Sequence, residues 1–263
     1  MRKHILFLTL ITGIALCTSY SAKCQYAQPD QKLGVIKDIN QTSSRRVIAD
    51  NAQKRDKERF RISTELGYSY RLAAIPEGLD AVVEDYIRDL KSGLHWGINA
   101  HYFTKQYLGF GLNYSVFSSS NASIEIGTTF EDETVEIGVQ DKVAIHFIGP
   151  SIVSRLRSAN KKHVLVNGLS VGYMRYSNEQ QAGQQNFKVK GGTLGAEARA
   201  EYDYMLSEWF SIGAGFSLNL GSLRTLEISQ NGEPAVEVDL EDTFEDRESL
   251  TRVQLVAGVR VYL

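Results

Sequence analysis

The clearest feature of the sequence is the alternation of apolar positions with polar or glycine positions. Between Phe60 and Leu263 it recurs in stretches of about ten residues, each followed by a break. Because successive side chains of a strand point to opposite faces, each stretch has one apolar and one polar face. Such strands are typical of a barrel that spans a membrane, with lipid outside and a polar lumen inside. The pattern therefore predicts an all-β, antiparallel transmembrane β-barrel.

Eight stretches carry the alternation, which predicts eight strands. The predicted strands are residues 60–72, 94–102, 108–116, 143–155, 164–176, 194–204, 210–220 and 252–263. In the fourth strand, Gly149 and Pro150 could mark a bulge that switches the face of the strand. In the fifth, Asn167 lies among apolar residues of one face, so the phase of this strand stays open.

The connections between the predicted strands alternate between short and long. Short links are expected at residues 104–106, 157–162 and 206–208, and long loops at 73–92, 118–142, 177–192 and 223–249. Short periplasmic turns and long extracellular loops are the rule in outer-membrane barrels. Both ends of the barrel domain then lie on the periplasmic side.

Three long loops carry patterns of their own. The first has helical spacing of apolar residues from Leu79 to Leu90 after Pro76, which predicts a short amphipathic helix over the barrel mouth or at the headgroups. Alternation at 123–126, 135–139 and 235–240 in the second and fourth loops predicts hairpins that extend past the membrane. Strand edges of this kind can bind partners by edge pairing.

Aromatic residues cluster at both ends of the predicted strands. Those near the short turns are Tyr102, Phe103, Tyr107, Tyr204, Trp209 and Phe210, and those near the long loops are Tyr68, Tyr70, Trp96, Tyr114 and Tyr173. Aromatic girdles at the two headgroup levels are expected of a membrane barrel. A soluble secreted barrel is the alternative, and it would bury this aromatic face.

The amino-terminal part predicts export. Arg2 and Lys3 precede a short apolar run and then small residues, as in a secretory signal peptide. Cleavage could follow Ser21 or Cys24, and we prefer the later position, so residues 1–24 are assigned to the signal peptide. Residues 25–58 are polar and predict a periplasmic extension without a core of its own. Residues 59–263 form the predicted barrel domain.

Composition excludes several functional classes. The net charge of −2 argues against nucleic acid as a partner. Cys17 and Cys24 are the only cysteines and both fall in the predicted signal peptide, so a disulfide scaffold, a thiol nucleophile and a zinc–thiolate site are not expected in the mature chain. Neither a metal nor a cofactor is predicted.

The last strand supplies a more specific signal. Gly258, Val261 and Leu263 match the glycine, hydrophobic and terminal hydrophobic positions of the signal read by the barrel-assembly machinery. From Phe60 onward the chain resembles the small eight-stranded outer-membrane barrels of Gram-negative bacteria, such as the OmpX, OmpW and OmpA-barrel families, in the style of Bacteroidetes proteins. The resemblance implies the cell outer membrane as location. It also implies lipid, lipopolysaccharide and the assembly machinery as partners.

The polar faces predict a network of opposite charges inside the barrel. Its expected members are Arg61, Glu65, Arg71, Glu197, Arg199, Glu201, Asp203, Arg252 and Arg260. An eight-stranded barrel is only wide enough for side chains to fill, and unpaired charges there would be costly. A paired network that blocks diffusion is therefore expected, with a charge-lined selective pore as the alternative. Glycine-rich faces on the third and seventh strands could leave water-filled gaps.

Three functional hypotheses follow. The first is a non-enzymatic barrel that serves envelope integrity or surface interaction through its extracellular loops, with a surface ligand that the sequence does not identify. The second is a narrow porin for small solutes. The third is a lipid-modifying enzyme, for which His95 near Ser69 would be the candidate pair. No catalytic residue is assigned.

Overall fold

The structure of the protein is a computed structural model that describes residues 58–75, 78, 81–130, 133–240 and 247–263. Of residues 122–130 and 133–137 only the backbone is described. The predicted signal peptide, and the predicted extension except for Glu58, lie outside the described residues, so both stay predictions.

Eight strands close into the predicted antiparallel barrel. The barrel strands are β1 (Phe60–Arg71), β2 (Ser92–Phe103), β3 (Leu108–Phe130), β4 (Glu133–Arg157), β5 (His163–Ala182), β6 (Gln185–Met205) and β7 (Phe210–Leu220), followed after the last long connection by β12 (Arg252–Tyr262). Each strand pairs with the next, β7 pairs with β12, and β12 pairs with β1. The predicted fold class is confirmed.

The register fixes the size of the barrel. Following paired residues from Arg71 through β12, β7, β6, β5, β4, β3 and β2 returns to β1 at Arg61, ten residues nearer the periplasmic end. This shear, with eight strands, tilts the strands by roughly 35–45° and leaves an interior that side chains can fill.

The alternation produces an apolar belt around the outside. Outward positions carry exposed hydrophobic side chains on every barrel strand, such as Leu66 (71% exposed), Leu94 (74%) and Leu194 (77%). The intervening polar side chains are buried inside, as Ser63 and Asn113 show at 0%. Hydrophobic exposure on this scale requires a partner phase, which a lipid bilayer supplies.

The two strands of uncertain phase are regular. The side chains of β4 at odd positions point inward from Asp141 to Arg155, and the register with β5 is the same on both sides of Gly149 and Pro150. The possible face switch at Gly149 and Pro150 is therefore absent from β4. Asn167 lies on the outward face of β5, half-buried, so one polar residue interrupts the apolar face.

The hairpins predicted past the membrane are present, and a further one was not predicted. Strands β3 and β4 stay paired up to Phe130 and Glu133. Strands β5 and β6 stay paired up to a tight turn at Gly183, where φ is 59°, although residues 177–192 were predicted as a loop. The loop prediction was wrong because polar strand residues above a membrane lose the apolar alternation while their backbone pairing continues.

The last long connection adds to the same side of the barrel. It contains β8 (Ser222–Leu223), β9 (Thr225–Gln230), β10 (Val236–Asp239) and β11 (Glu248–Ser249). β9 pairs with the outer part of β6, and β10 pairs with β9. The upper parts of β3 to β6 therefore continue into β9 and β10 as a tall extracellular sheet on one side.

The first long connection contains the predicted helix, α1 (Ala81–Leu90). Pro76 and Leu79 lie outside the described residues. Within the part of the chain that the structure describes, no helix is long and apolar enough to cross a membrane.

Closure depends on a very close approach between the first and last strands. Phe60 and Leu263 exchange two backbone hydrogen bonds of 2.8 Å. A Cβ atom at Gly258 would lie 2.0 Å from the Thr64 carbonyl oxygen and 2.8 Å from the Glu65 Cα. Only glycine fits there without moving backbone, whereas Val261 and Leu263 face outward along the same strand.

We expect Gly258→Ala to lower the free energy of unfolding by about 1–3 kcal/mol, because the added methyl group overpacks the seam between β1 and β12. The readout is the fraction of protein that migrates fast on gels without boiling, together with urea unfolding in lipid vesicles. Ala257→Val adds volume to the neighbouring, outward-facing residue and is the matched control. Equal stability of the two variants would contradict the prediction.

Candidate functional site

All nine residues of the predicted charge network point into the lumen. Their exposed fractions are Arg61 0%, Glu65 3%, Arg71 6%, Glu197 2%, Arg199 5%, Glu201 2%, Asp203 0%, Arg252 0% and Arg260 0%. Seven of them are joined by ion pairs into two neighbouring groups. Arg71 and Arg252 lie outside these groups.

The first group is centred on Asp203, near the periplasmic end. The Arg61 guanidinium donates to Asp203 through Nε at 2.9 Å and through Nη2 at 3.1 Å. Arg260 Nε lies 3.1 Å from Asp203 Oδ1, and the Tyr262 hydroxyl donates to Asp203 Oδ2 at 2.5 Å. One carboxylate thus compensates two buried arginines, and bidentate contacts of this kind are the stronger ones.

The second group is centred on Arg199, in the middle of the lumen. Arg199 Nη2 lies 2.9 Å from Glu65 Oε1, and Arg199 Nε lies 3.0 Å from Glu197 Oε1. Glu201 connects the groups, because it accepts from Arg61 at 3.1 Å and lies 3.7 Å from Arg199. Charges from β1, β6 and β12 therefore meet across the barrel axis.

Glycine residues opposite the charged residues make room for them. Asp203 pairs in register with Gly213, Glu201 with Gly215, and Arg199 with Gly168. Arg260 also donates to the Gly213 carbonyl oxygen at 2.7 Å. The glycine-rich face of β7 is therefore filled by side chains from its neighbours, at positions where water-filled gaps were considered.

Neutral polar side chains complete the network. Asn113 donates to Glu197 Oε1 and to the Ser170 hydroxyl, both at 2.8 Å, and lies 3.1 Å from His101 Nε2. Asn219 donates to Gln254 Oε1 at 3.2 Å. The alternation had placed Asn113, His101 and Asn219 on polar faces, but it contains no information on which partners meet across the lumen.

Arg71 and Arg252 are register partners nearer the extracellular end. Arg71 forms an ion pair with Glu248 and donates to the Ser249 carbonyl oxygen at 2.9 Å. Arg252 differs, since none of its three guanidinium nitrogens has a hydrogen-bond partner among the described residues. Its charge is buried without the direct contacts that stabilise the other arginines.

Apolar clusters close the lumen above and below the charges, and neither was predicted. The extracellular cluster consists of Phe117, Val143, Ile145, Phe147, Met174, Tyr176, Leu223 and Leu250. The periplasmic cluster consists of Phe103, Val153, Val164, Val166, Met205 and Tyr262. Every member is at most 8% exposed. The sequence did contain a signal for these clusters, because residues 143–155 carry apolar side chains on both faces. The uncertainty about which face of this strand points inward kept the signal from being recognised.

Helix α1 is docked over the extracellular cluster. The Tyr86 hydroxyl donates to Asp141 Oδ2 at 2.7 Å, and Asn178 donates to Asp141 Oδ1 at 2.8 Å. Burial, reinforced by the hydrogen bond to Asp141, raises the pKa of Tyr86. The hydroxyl therefore stays a hydrogen-bond donor at physiological pH. Helix α1 lies over the barrel mouth, which is one of the two positions predicted for it.

The histidines do not form a catalytic set with Ser69. His95 Nε2 lies 3.5 Å from Glu65 Oε1, while His95 Nδ1 and the Ser69 hydroxyl lack hydrogen-bond partners within the described chain. His146 and His163 face outward and contact the hydroxyls of Tyr114 and Tyr202 at 3.0 and 2.6 Å. Among the residues that the structure describes, no cluster of three His, Cys, Asp or Glu side chains could hold a metal ion.

No protein-family model matches the sequence, and no curated protein matches it. Solved structures with a similar fold include a major outer membrane protein of Thermus thermophilus, with 10% identity, a TM-score of 0.50, and coverage of 78% of this chain and 99% of that chain. Neisserial surface protein A is 14% identical, with a TM-score of 0.44 and coverage of 78% and 97%. The outer membrane protease OmpT of Escherichia coli is 6% identical, with a TM-score of 0.44 and coverage of 79% and 98%.

The fold is that of the small outer-membrane β-barrel proteins, as predicted. The location in the outer membrane follows from the barrel itself. Its outer surface carries an apolar belt, its backbone hydrogen bonds are satisfied by closure, and the charged side chains at the level of the belt are inside.

We expect Asp203→Asn to lower the free energy of unfolding by about 3–5 kcal/mol, because it leaves Arg61 and Arg260 buried with less compensation. Urea unfolding in lipid vesicles measures the effect. Arg252→Met is the matched comparison, and it should change stability by less than about 1 kcal/mol because this guanidinium makes no hydrogen bond within the described part of the chain. A larger loss in Arg252→Met than in Asp203→Asn would refute this account of the network.

We expect Tyr86→Phe to weaken the docking of α1 by about 1.5–3 kcal/mol, the usual contribution of a hydrogen bond to a charged acceptor. Faster hydrogen exchange of the α1 amides, with unchanged exchange in β1 and β12, is the expected result. Tyr107→Phe, at a periplasmic turn, is the control. Unchanged exchange in α1 would show that the contact with Asp141 does not hold the helix.

Proposed function

We propose that the protein is a closed, non-enzymatic outer-membrane barrel that presents its extracellular sheet for surface interaction or envelope integrity. The observation that carries the proposal is the filling of the lumen in three layers. Ion-paired side chains fill the middle, and an apolar cluster fills each end. A lumen packed in this way supports the barrel and offers no path for solutes.

A narrow porin is the alternative from the transport class. A conducting pore needs a wetted path lined by polar groups. Phe117, Ile145 and Phe147 are 0% exposed at one end, and Val153, Val164 and Val166 are 0% exposed at the other. Conduction would require both clusters and the ion pairs between them to rearrange, which favours the closed barrel.

A lipid-modifying enzyme is the second alternative. Such an enzyme must bring its nucleophile and base to a lipid at the membrane surface. Ser69 is 0% exposed and His95 is 1% exposed, so both lie within the filled lumen. This burial favours a structural role for His95, beside Glu65.

The extracellular sheet supports the interaction role. Its outermost strand, β10, pairs with β9 and with no other strand in the described part of the chain. Val236 and Val238 on β10 are 65% and 38% exposed. A free edge with exposed apolar side chains is the surface that β-strand addition uses. For assembly, we propose that the barrel-assembly machinery reads Gly258, Val261 and Leu263.

We expect the purified protein to produce no stepwise conductance in planar bilayers, because the three packed layers block the lumen. Thiol labelling gives an independent readout, since the predicted mature chain has no cysteine. Ser115→Cys, 1% exposed in the lumen, should resist a water-soluble maleimide until the protein is unfolded.

Ser120→Cys, exposed on the extracellular part of the same strand, is the control and should react at once. Conductance steps, or equal labelling of the two variants in the folded protein, would favour the porin hypothesis over the closed barrel.

A further inference from the structure

A groove with a volume of about 530 Å³ lies on the outer surface of the barrel, across β4, β5 and β6. It is distinct from the lumen, because its side chains occupy outward positions. The lining residues are His146, Ile148, Tyr173, Arg175, Ser177, Glu179, Lys188 and Lys190.

The strand register brings the basic residues of the groove together. His146 on β4, Arg175 on β5 and Gly192 on β6 form one cross-strand row. Lys190 lies two residues farther from the membrane along β6, opposite Ser177. Lys188 lies two residues beyond Lys190, opposite Glu179. Side chains in such rows on one face are near neighbours.

The groove begins where the apolar belt ends. On the membrane side of this row, the next residues that face away from the lumen are Tyr173, 50% exposed, and Leu194, 77% exposed. A Cβ atom at Gly192 would lie 1.9 Å from the Tyr173 hydroxyl oxygen, so the ring of Tyr173 extends over Gly192 below the basic residues. An aromatic ring at this boundary indicates the depth of the outer headgroups.

The charges in the groove are unevenly compensated. Lys188 forms an ion pair with Glu179, and the hydrogen bond from Lys188 lowers the pKa of this carboxyl, so Glu179 stays ionised. Arg175 and Lys190 form no ion pair among the described residues. On the opposite strands, the outward residues at the upper edge of the belt include the uncharged Leu72, Ser92, Ser118 and Thr251, and the ammonium of Lys91 lies over the Tyr70 ring there, 5.3 Å from its centroid.

We propose that this groove binds the phosphate of a phosphorylated glycolipid in the outer leaflet, with Arg175 and Lys190 as its ligands. A planar guanidinium and a nearby ammonium match the oxygens of a phosphate, and contacts between such charged partners are the stronger hydrogen bonds. The acyl chains of the lipid then cover Ile148, Tyr173 and Leu194.

A second cavity of about 340 Å³ supports a sugar headgroup over a simple phospholipid. It lies further from the membrane and shares Glu179 and Lys188 with the groove. Its lining includes Gln140, Gln181, Asn186 and the ring of Phe187. Side-chain amides beside an aromatic ring offer the donors, acceptors and apolar surface that a saccharide needs.

The test uses the full barrel, stripped of lipid in detergent, with native mass spectrometry and thermal unfolding as the two readouts. The probes are phosphorylated lipid A, the same lipid A after removal of its phosphates, phosphatidylglycerol and inorganic phosphate. We expect phosphorylated lipid A to bind best, and Arg175→Gln with Lys190→Gln to weaken its binding by about tenfold or more, because two charge-assisted contacts are lost.

Lys105→Gln with Lys161→Gln, at the periplasmic turns, is the matched control and should leave binding unchanged. Fast migration without boiling confirms that each variant is folded. Glu179→Gln should strengthen binding, because it frees the charge of Lys188. Equal binding of dephosphorylated lipid A, phosphatidylglycerol or inorganic phosphate, or equal loss in the control variant, would overturn the proposal. The result is independent of whether the lumen conducts.

Discussion

The structure depends on closing the sheet between its first and last strands. Within a bilayer no water is available to satisfy a strand edge, so every backbone donor and acceptor must find a partner in the protein. The hydrogen bonds between β1 and β12 provide this closure, and the contact at Gly258 shows how tightly the strands approach. Once the barrel is closed, the outer side chains face lipid and the inner side chains must fill a narrow lumen.

The lumen is filled in layers because buried charged side chains need partners of opposite charge, whereas buried apolar side chains do not. Arginines that enter the lumen need carboxylates within contact distance, which Asp203, Glu201, Glu197 and Glu65 supply. Glycines opposite these residues provide the space. At the two ends the strands carry apolar residues inward, so a buried apolar cluster lies on each side of the charged layer. These two clusters are the basis for the proposal that the barrel is closed.

The outer surface of the barrel is strongly asymmetric. Strands β3 to β6 rise above the membrane with β9 and β10, whereas β1, β2, β7 and β12 end near the apolar belt. The basic groove lies at the foot of the tall side, on three strands of that sheet. A lipid phosphate bound there would anchor the side of the barrel that carries the extracellular sheet.

The sequence by itself determined the eight strands, the inward and outward faces of six of them, the alternation of short and long connections, and the inward placement of the nine charged residues. These follow from a period of two residues, which is local and survives without knowledge of any partner. The partners were decided by the tertiary structure. Which carboxylate meets Arg61, why Arg252 meets none among the described residues, and how Tyr86 reaches Asp141 depend on the register around a closed ring. The sealing clusters and the basic groove also depend on it, because residues distant in sequence become neighbours only when the shear of the barrel aligns their strands.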